Sequence, residues 1–188
     1  MKMKITLIVL FFLCMAAVPM LIINKKAVKQ EQIGKTIMTE SGNLAALAGM
    51  CAEDVSDEVL KALAIIAKTN DAAGWTIVDK TDAKADEVTL KRMQTIYHSN
   101  NEILTYRNQP VAVPCSLCSN GFTAENKDKE YLIAAASPWD CFCKAYDNNN
   151  CCEGVSINGV CHLCNRGLNA EEALEWYLPK LVIVNDEN

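Results

Sequence analysis

Apolar residues fall into three patterns along this 188-residue chain, and each pattern predicts a different kind of element. Over residues 5–23 they are nearly continuous and no charge interrupts them, with Lys2 and Lys4 before and Lys25 and Lys26 after. This uncharged span of nineteen residues reaches across the hydrocarbon core of a bilayer at about 1.5 Å per residue. The run continues past the small residues Ala16 and Ala17, which favours a retained transmembrane anchor over residues 1–24 rather than a cleaved signal. In EVLKALAIIAKT, residues 58–69, the spacing turns helical. Leu60, Leu63, Ala64 and Ala67 share one face, predicting a helix over residues 57–68 that Ser56 or Asp57 can cap. Alternation then predicts a strand in WTIVD from Trp75. Residues 81–87 are charged and read as a loop, and residues 94–113 turn β-like, with a hairpin signal at Arg107-Asn108 between LTY and PVAV.

The polar stretch of residues 25–43 reads as a stalk, and residues 44–188 as the folded domain. Within that domain Ser119-Asn120-Gly121 signals a turn, since glycine tolerates positive φ, and residues 147–150 form an Asn-rich second loop. Asn169, with Glu172 three residues on, predicts a capped helix over residues 170–177, with Ala173, Leu174 and Tyr177 facing inward. LVIV then reads as a closing strand. The expected architecture is a single α+β domain, with β-hairpins and a few helices, behind the anchor.

Charge changes the picture by exclusion. Lys2 and Lys4 precede the apolar run, leaving 16 of the 18 Lys+Arg against all 23 Asp+Glu, a net charge of −7 on the remainder. Nucleic-acid binding needs a basic surface to displace counterions from phosphates, so that class is excluded.

Cysteine adds the candidate chemistry. Cys115-x-x-Cys118, Cys141-x-Cys143, Cys151-Cys152 and Cys161-x-x-Cys164 place eight thiols in the C-terminal half. Cys115, Cys118, Cys161 and Cys164 have the spacing of two thiolate pairs for a tetrahedral zinc, with His162 an alternative ligand. A disulfide framework suits an exported chain equally, and its connectivity is not readable from spacing. Neither CxxC opens a thioredoxin-like helix. His98 is expected in a surface loop, Trp139 as a packing anchor, and Trp176 and Tyr177 in the core.

Four blocks, in order, resemble the stage II sporulation protein D family, which includes the amidase-enhancer domain. EVLKALAIIAKT is similar to that family's EALKAQAVAARTY helix, and ILTYRNQPV to its VLTY-x-G-x-PI hairpin. CSNGFT with YLIAAASPWD is similar to CSGG-x-T with YL-x-x-V-x-SPWD, and GVSINGVCHLCNRGLNAEEALEWY to the glycine-rich block and terminal helix. The resemblance covers residues 44–184. It implies a membrane-anchored protein on the extracytoplasmic side of the cell membrane, acting on or binding peptidoglycan glycan strands during sporulation (engulfment). Family members are lytic transglycosylases, or, in the amidase-enhancer branch, stimulate a cell-wall amidase. The implied substrate-binding positions here are Lys68, Ser119, Gly121, Thr123 and Gly154. Some family members resemble zinc sites at the CSGG loop, where Cys118 falls, but Ser116 stands where their histidine would.

Departures from the family pattern set the expectation for catalysis. Glycan cleavage needs a carboxylic acid beside the scissile bond. The family's catalytic glutamate lies eight residues before the glutamate that is Glu58 here, a register that lands on Met50, and a thioether has no proton to donate. Glu53 substitutes only if the intervening turn is shortened by three residues; otherwise Glu53 and Asp54 solvate the turn before the helix. The family's helix-ending arginine is Lys68 here, and the glycine-rich block is two residues shorter. Reduced or absent transglycosylase activity is expected. The alternative is a cysteine-rich exported structural or metal-binding module.

Overall fold

The computed structural model describes residues 41–51, 54–77, 85–144 and 152–186. The expected anchor of residues 5–23, most of the expected stalk, Glu53, the expected 147–150 loop and Cys151 lie outside the described residues. Among those described, no helix is long and apolar enough to cross a membrane.

A mixed α+β architecture is observed. Helix α1 (Gly42–Gly49) is capped by Ser41, whose side chain accepts the Leu44 N–H. Helix α2 (Asp57–Ala72) follows, with Ser56 as its cap, and it runs four residues further than the apolar spacing predicts. Every residue from Ala62 to Ala67 is buried, so α2 is not one-faced but the central rod of the core.

Polar side chains at the end of α2 take over backbone pairing from the strands. Asn70 accepts the Val113 N–H at 2.7 Å and donates to the Val113 carbonyl at 3.0 Å, as a neighbouring strand would. The Thr69 hydroxyl accepts the Leu104 N–H at 2.8 Å. Both side chains are fully buried, and unmet backbone groups at such depth are costly.

Helix α3 (Glu87–Ser99) corrects the expectation of β structure from residue 94, and with it the loop placement of His98, which is exposed near the helix end. Asp86 caps α3 by accepting from Thr89. Thr89 and Met93 are its fully buried face, with Ile96 and Tyr97 packed against the core beside them. Thr95, Ile96 and Tyr97 are β-branched or aromatic and read locally as strand; packing on α2 overrides that preference. The WTIVD strand is also not formed over its described part. Trp75–Ile77 are irregular, and the Asn43 side chain takes the Ile77 N–H at 2.7 Å.

Strands β1 (Glu102–Tyr106) and β2 (Gln109–Pro110) form the expected hairpin, and Arg107 and Asn108 turn it with φ of 52° and 63°. The other edge of β1 is taken by the last strand of the chain, antiparallel, with Ile103 opposite Val184. Four two-residue strands follow: β3 (Cys115–Ser116), β4 (Thr123–Ala124), β5 (Cys152–Glu153) and β6 (Val155–Ser156). They pair in parallel as β3 with β6 and β4 with β5. A 3-10 turn (Pro138–Phe142) lies between β4 and β5. Helices α4 (Ile157–Asn165) and α5 (Ala170–Tyr177) and strand β7 (Val182–Asn185) complete the described chain. Helix α5 has the full capping box of Asn169 and Glu172 that its sequence predicts.

Candidate functional site

Asp140, in SPWD, is fully buried at the point where two of the loops meet. Its Oδ2 accepts the Ser119 N–H at 2.8 Å, the Ser119 hydroxyl at 2.6 Å and the Ser137 hydroxyl at 2.8 Å. Its Oδ1 accepts Asn158 Nδ2 at 2.8 Å. Four donors satisfy a carboxyl that has left water, the condition for burying one at all. Pro138 sets the first turn of the 3-10 segment, and the Asp140 N–H closes back on the Ser137 carbonyl at 3.0 Å.

A directed chain of hydrogen bonds feeds that carboxyl. Ser137 has one hydroxyl proton and gives it to Asp140, so in the 2.8 Å contact between Ser137 and Tyr177 the tyrosine is the donor. Trp139 Nε1 in turn donates to the Tyr177 oxygen at 3.3 Å. Burial raises the Tyr177 phenol well above its ordinary value, which keeps its proton in place. Gly159 supplies the space: a Cβ there would lie 1.7 Å from the Tyr177 oxygen.

An aromatic surface lies over this network. The Trp139 ring stacks on His162 at 4.8 Å and 9°, and Trp176 tilts beside it at 5.8 Å. Trp176 is 45% exposed and donates its N–H to the Ala136 carbonyl at 2.8 Å. Tyr177 is core as expected, but Trp176 is at the surface. Phe122, the bridge partner of Ala136, and Phe142, at the end of the 3-10 turn, are also exposed.

The positions suggested for substrate binding are spread over the domain. Ser119 is fully buried and held by Asp140; Gly121, at φ 106°, donates its N–H to the Ser119 oxygen at 3.3 Å. Thr123 is fully buried, and its hydroxyl accepts the Ala135 N–H at 3.0 Å. These hydroxyls serve the fold's interior and present nothing to a ligand. Gly154, at φ 75°, sits against the Pro114 carbonyl, which a Cβ would meet at 2.3 Å. Lys68 is apart from all of these, bonded to the Asn100 carbonyl with its ammonium 5.0 Å from the Tyr97 ring centroid. Met50, in the register of the family's acid, is buried at the C-terminal cap of α1. Glu58, eight residues on, caps α5 by accepting the Ala170 N–H at 2.8 Å.

The four thiols suggested for zinc do not meet. Cys115 lies on β3 and the buried Cys118 in the loop before Ser119, while Cys161 and Cys164 are on α4. Among the described residues no three His, Cys, Asp or Glu side chains gather closely enough to hold a metal ion, so this donor set does not fit a tetrahedral zinc. Cys161 faces Cys51 instead. Burial, with Cys161 beside it, pushes the Cys51 thiol up to about 12, and burial followed by Cys164 pushes Cys161 up to about 11.

Asp140, Asn158 and the Tyr177 hydroxyl are the site residues that sequence reasoning passed over. The available signal was SPWD itself, where a serine three residues before an aspartate can close a local ring. No family model matches the chain, and no curated protein matches it.

Proposed function

We propose that this is a membrane-anchored, sporulation protein D-like protein that binds peptidoglycan glycan strands on the extracytoplasmic side, with reduced or absent lytic transglycosylase activity. The observation that carries the reading is the bonding between the resembling blocks. Asp140 of the SPWD block holds Asn158 of the glycine-rich block. Glu58 of the first helix holds Ala170 of the terminal helix, and Thr69 holds Leu104 of the hairpin. These bonds tie the blocks that carry the resemblance into one domain.

Trp176 is 45% exposed, with Trp139 tilted at 50° beside it and His162 stacked on Trp139, giving an aromatic surface. Such a surface suits the apolar face of a sugar ring, because an indole offers large area at little conformational cost. The buried Met50 argues against acid catalysis at the family position. With residues 5–23 as anchor, the domain works beside the membrane, recruiting or stimulating a wall enzyme such as an amidase.

The test uses the full chain in detergent with purified peptidoglycan, read by co-sedimentation and mass spectrometry. Binding without cleavage, weakened at least tenfold by Trp176→Ala, is expected. Products ending in 1,6-anhydro sugars that vanish with Glu53→Gln would replace the binding reading by a transglycosylase with a relocated acid. A folded chain that neither cleaves nor sediments overturns the peptidoglycan assignment.

A further inference from the structure

We propose that Cys115 and Cys152 form a disulfide that staples β3 to β5 and closes the segment carrying Ser119, Ser137, Trp139 and Asp140. Placement of the strands carries the pairing. Each Cα of Cys115–Ser116 lies within 8 Å of each Cα of Cys152–Glu153, and a disulfide spans about 4.4–6.8 Å between Cα atoms. The two sulfurs rest on separate carbonyls, Cys115 Sγ 3.7 Å from the Val113 oxygen, and the pairing register sets them on adjacent strands. Cys115 is the β-partner of Val155, and Cys152 Sγ sits 3.7 Å from the Val155 oxygen. The backbones are held close by the Val155 N–H, which donates to the Pro114 carbonyl at 3.0 Å. Gly154 between β5 and β6 allows this approach, since it alone lacks the Cβ that would strike Pro114.

The environment says when the bond forms. Cys152 is buried at 1% exposure, and burial, then the neighbouring Cys152, holds the Cys115 thiol far above its ordinary value. Thiolate is the attacking species, so a folded, reduced pair reacts slowly and the bond closes as the chain folds. The oxidant is an incoming disulfide, from a small molecule or an oxidoreductase. One thiolate attacks a sulfur of that disulfide and releases one thiol. The second protein thiolate then attacks the mixed disulfide and releases the other. Two electrons and two protons leave with the two thiols, and one protein S–S bond replaces the incoming one.

The test is peptide mapping of the full chain refolded with oxidised glutathione and then alkylated under denaturing conditions. A linked pair of peptides holding Cys115 and Cys152, lost on reduction, is the expected result. Reduction should also lower Tm by roughly 10 °C, and the Cys115→Ser/Cys152→Ser chain should lack that drop. Alkylation of both cysteines, or joining of either to a different cysteine, overturns the pairing. A correct link whose reduction leaves Tm unchanged overturns the staple.

Discussion

Asn158 Nδ2 stands 2.8 Å from Asp140 Oδ1, so one buried carboxyl holds the start of α4 to the Ser119 turn. The pair has a fixed polarity, amide donating and carboxyl accepting, and that polarity predicts a rescue. Asp140→Asn can keep an oxygen toward the two serines but then points an NH2 at Asn158, leaving donors opposed at a cost of about 1–3 kcal/mol. Asn158→Asp alone puts two carboxyls in contact, which disfavours charging both. The double exchange restores one donor and one acceptor, so it should be more stable than either single variant by urea denaturation. Simple addition of the two losses would sink the network as described.

Gly159 offers a contest between two effects of known size. Alanine improves helix propensity by about 1 kcal/mol over glycine. Its methyl would lie 1.7 Å from the Tyr177 oxygen and 2.7 Å from Trp139 Nε1. Overpacking costs about 1–3 kcal/mol and occasionally more, and this overlap belongs at the upper end. Gly159→Ala should therefore lower stability by roughly 2 kcal/mol net. Tyr177→Phe in the same chain should recover part of the loss; a stabilised Gly159→Ala variant would show that the helix can shift away.

Much of the frame was legible because local chemistry decides it. The cap of α5 follows from Asn169 and Glu172, and the hairpin from the turn residues between two apolar runs. Helix α3 was not legible, since Thr95, Ile96 and Tyr97 favour strand and only packing on α2 decides otherwise. The site was less legible still. Asp140 is buried by donors 21 residues before it and 18 after it, and neither partner is visible from SPWD alone. Ser119 and Thr123 look like ligand-facing hydroxyls in sequence, but both are turned inward to satisfy the interior.

The hairpin turn invites a stabilising change. Arg107 adopts φ 52°, a region where a long side chain is strained and asparagine much less so. Its guanidinium meets Glu130 at 3.0 Å, with the two side chains 74% and 67% exposed. An ion pair that exposed is worth at most about 1 kcal/mol, and often nothing measurable. Arg107→Asn should raise stability by about 0.5 kcal/mol, because Asn suits both central positions of a type I′ turn. A fall in the urea midpoint would mean that the ion pair outweighs the strain.

The buried thiols set an alkaline limit on the fold. Cys51 is pushed up to about 12, and Cys161 and Cys164 to about 11, from an ordinary 9.0; burial is the leading cause in each. A raised thiol pKa favours the protonated form in the folded state. The unfolded chain therefore releases these protons first. Stability from this source is complete below pH 9 and is lost as pH climbs from 9 toward 11–12. Each thiol contributes a slope of about 1.4 kcal/mol per pH unit within its window. Under reducing conditions, urea midpoints should be flat from pH 7 to 8.5 and fall steeply above 9. Cys161→Ala removes one of these slopes and should also ease the titration of Cys51, whose thiol Cys161 helps to raise. If the variant and parent curves stay parallel from pH 9 to 11, Cys161 is reaching solvent in the folded chain and the packing of Cys51 against α4 is wrong.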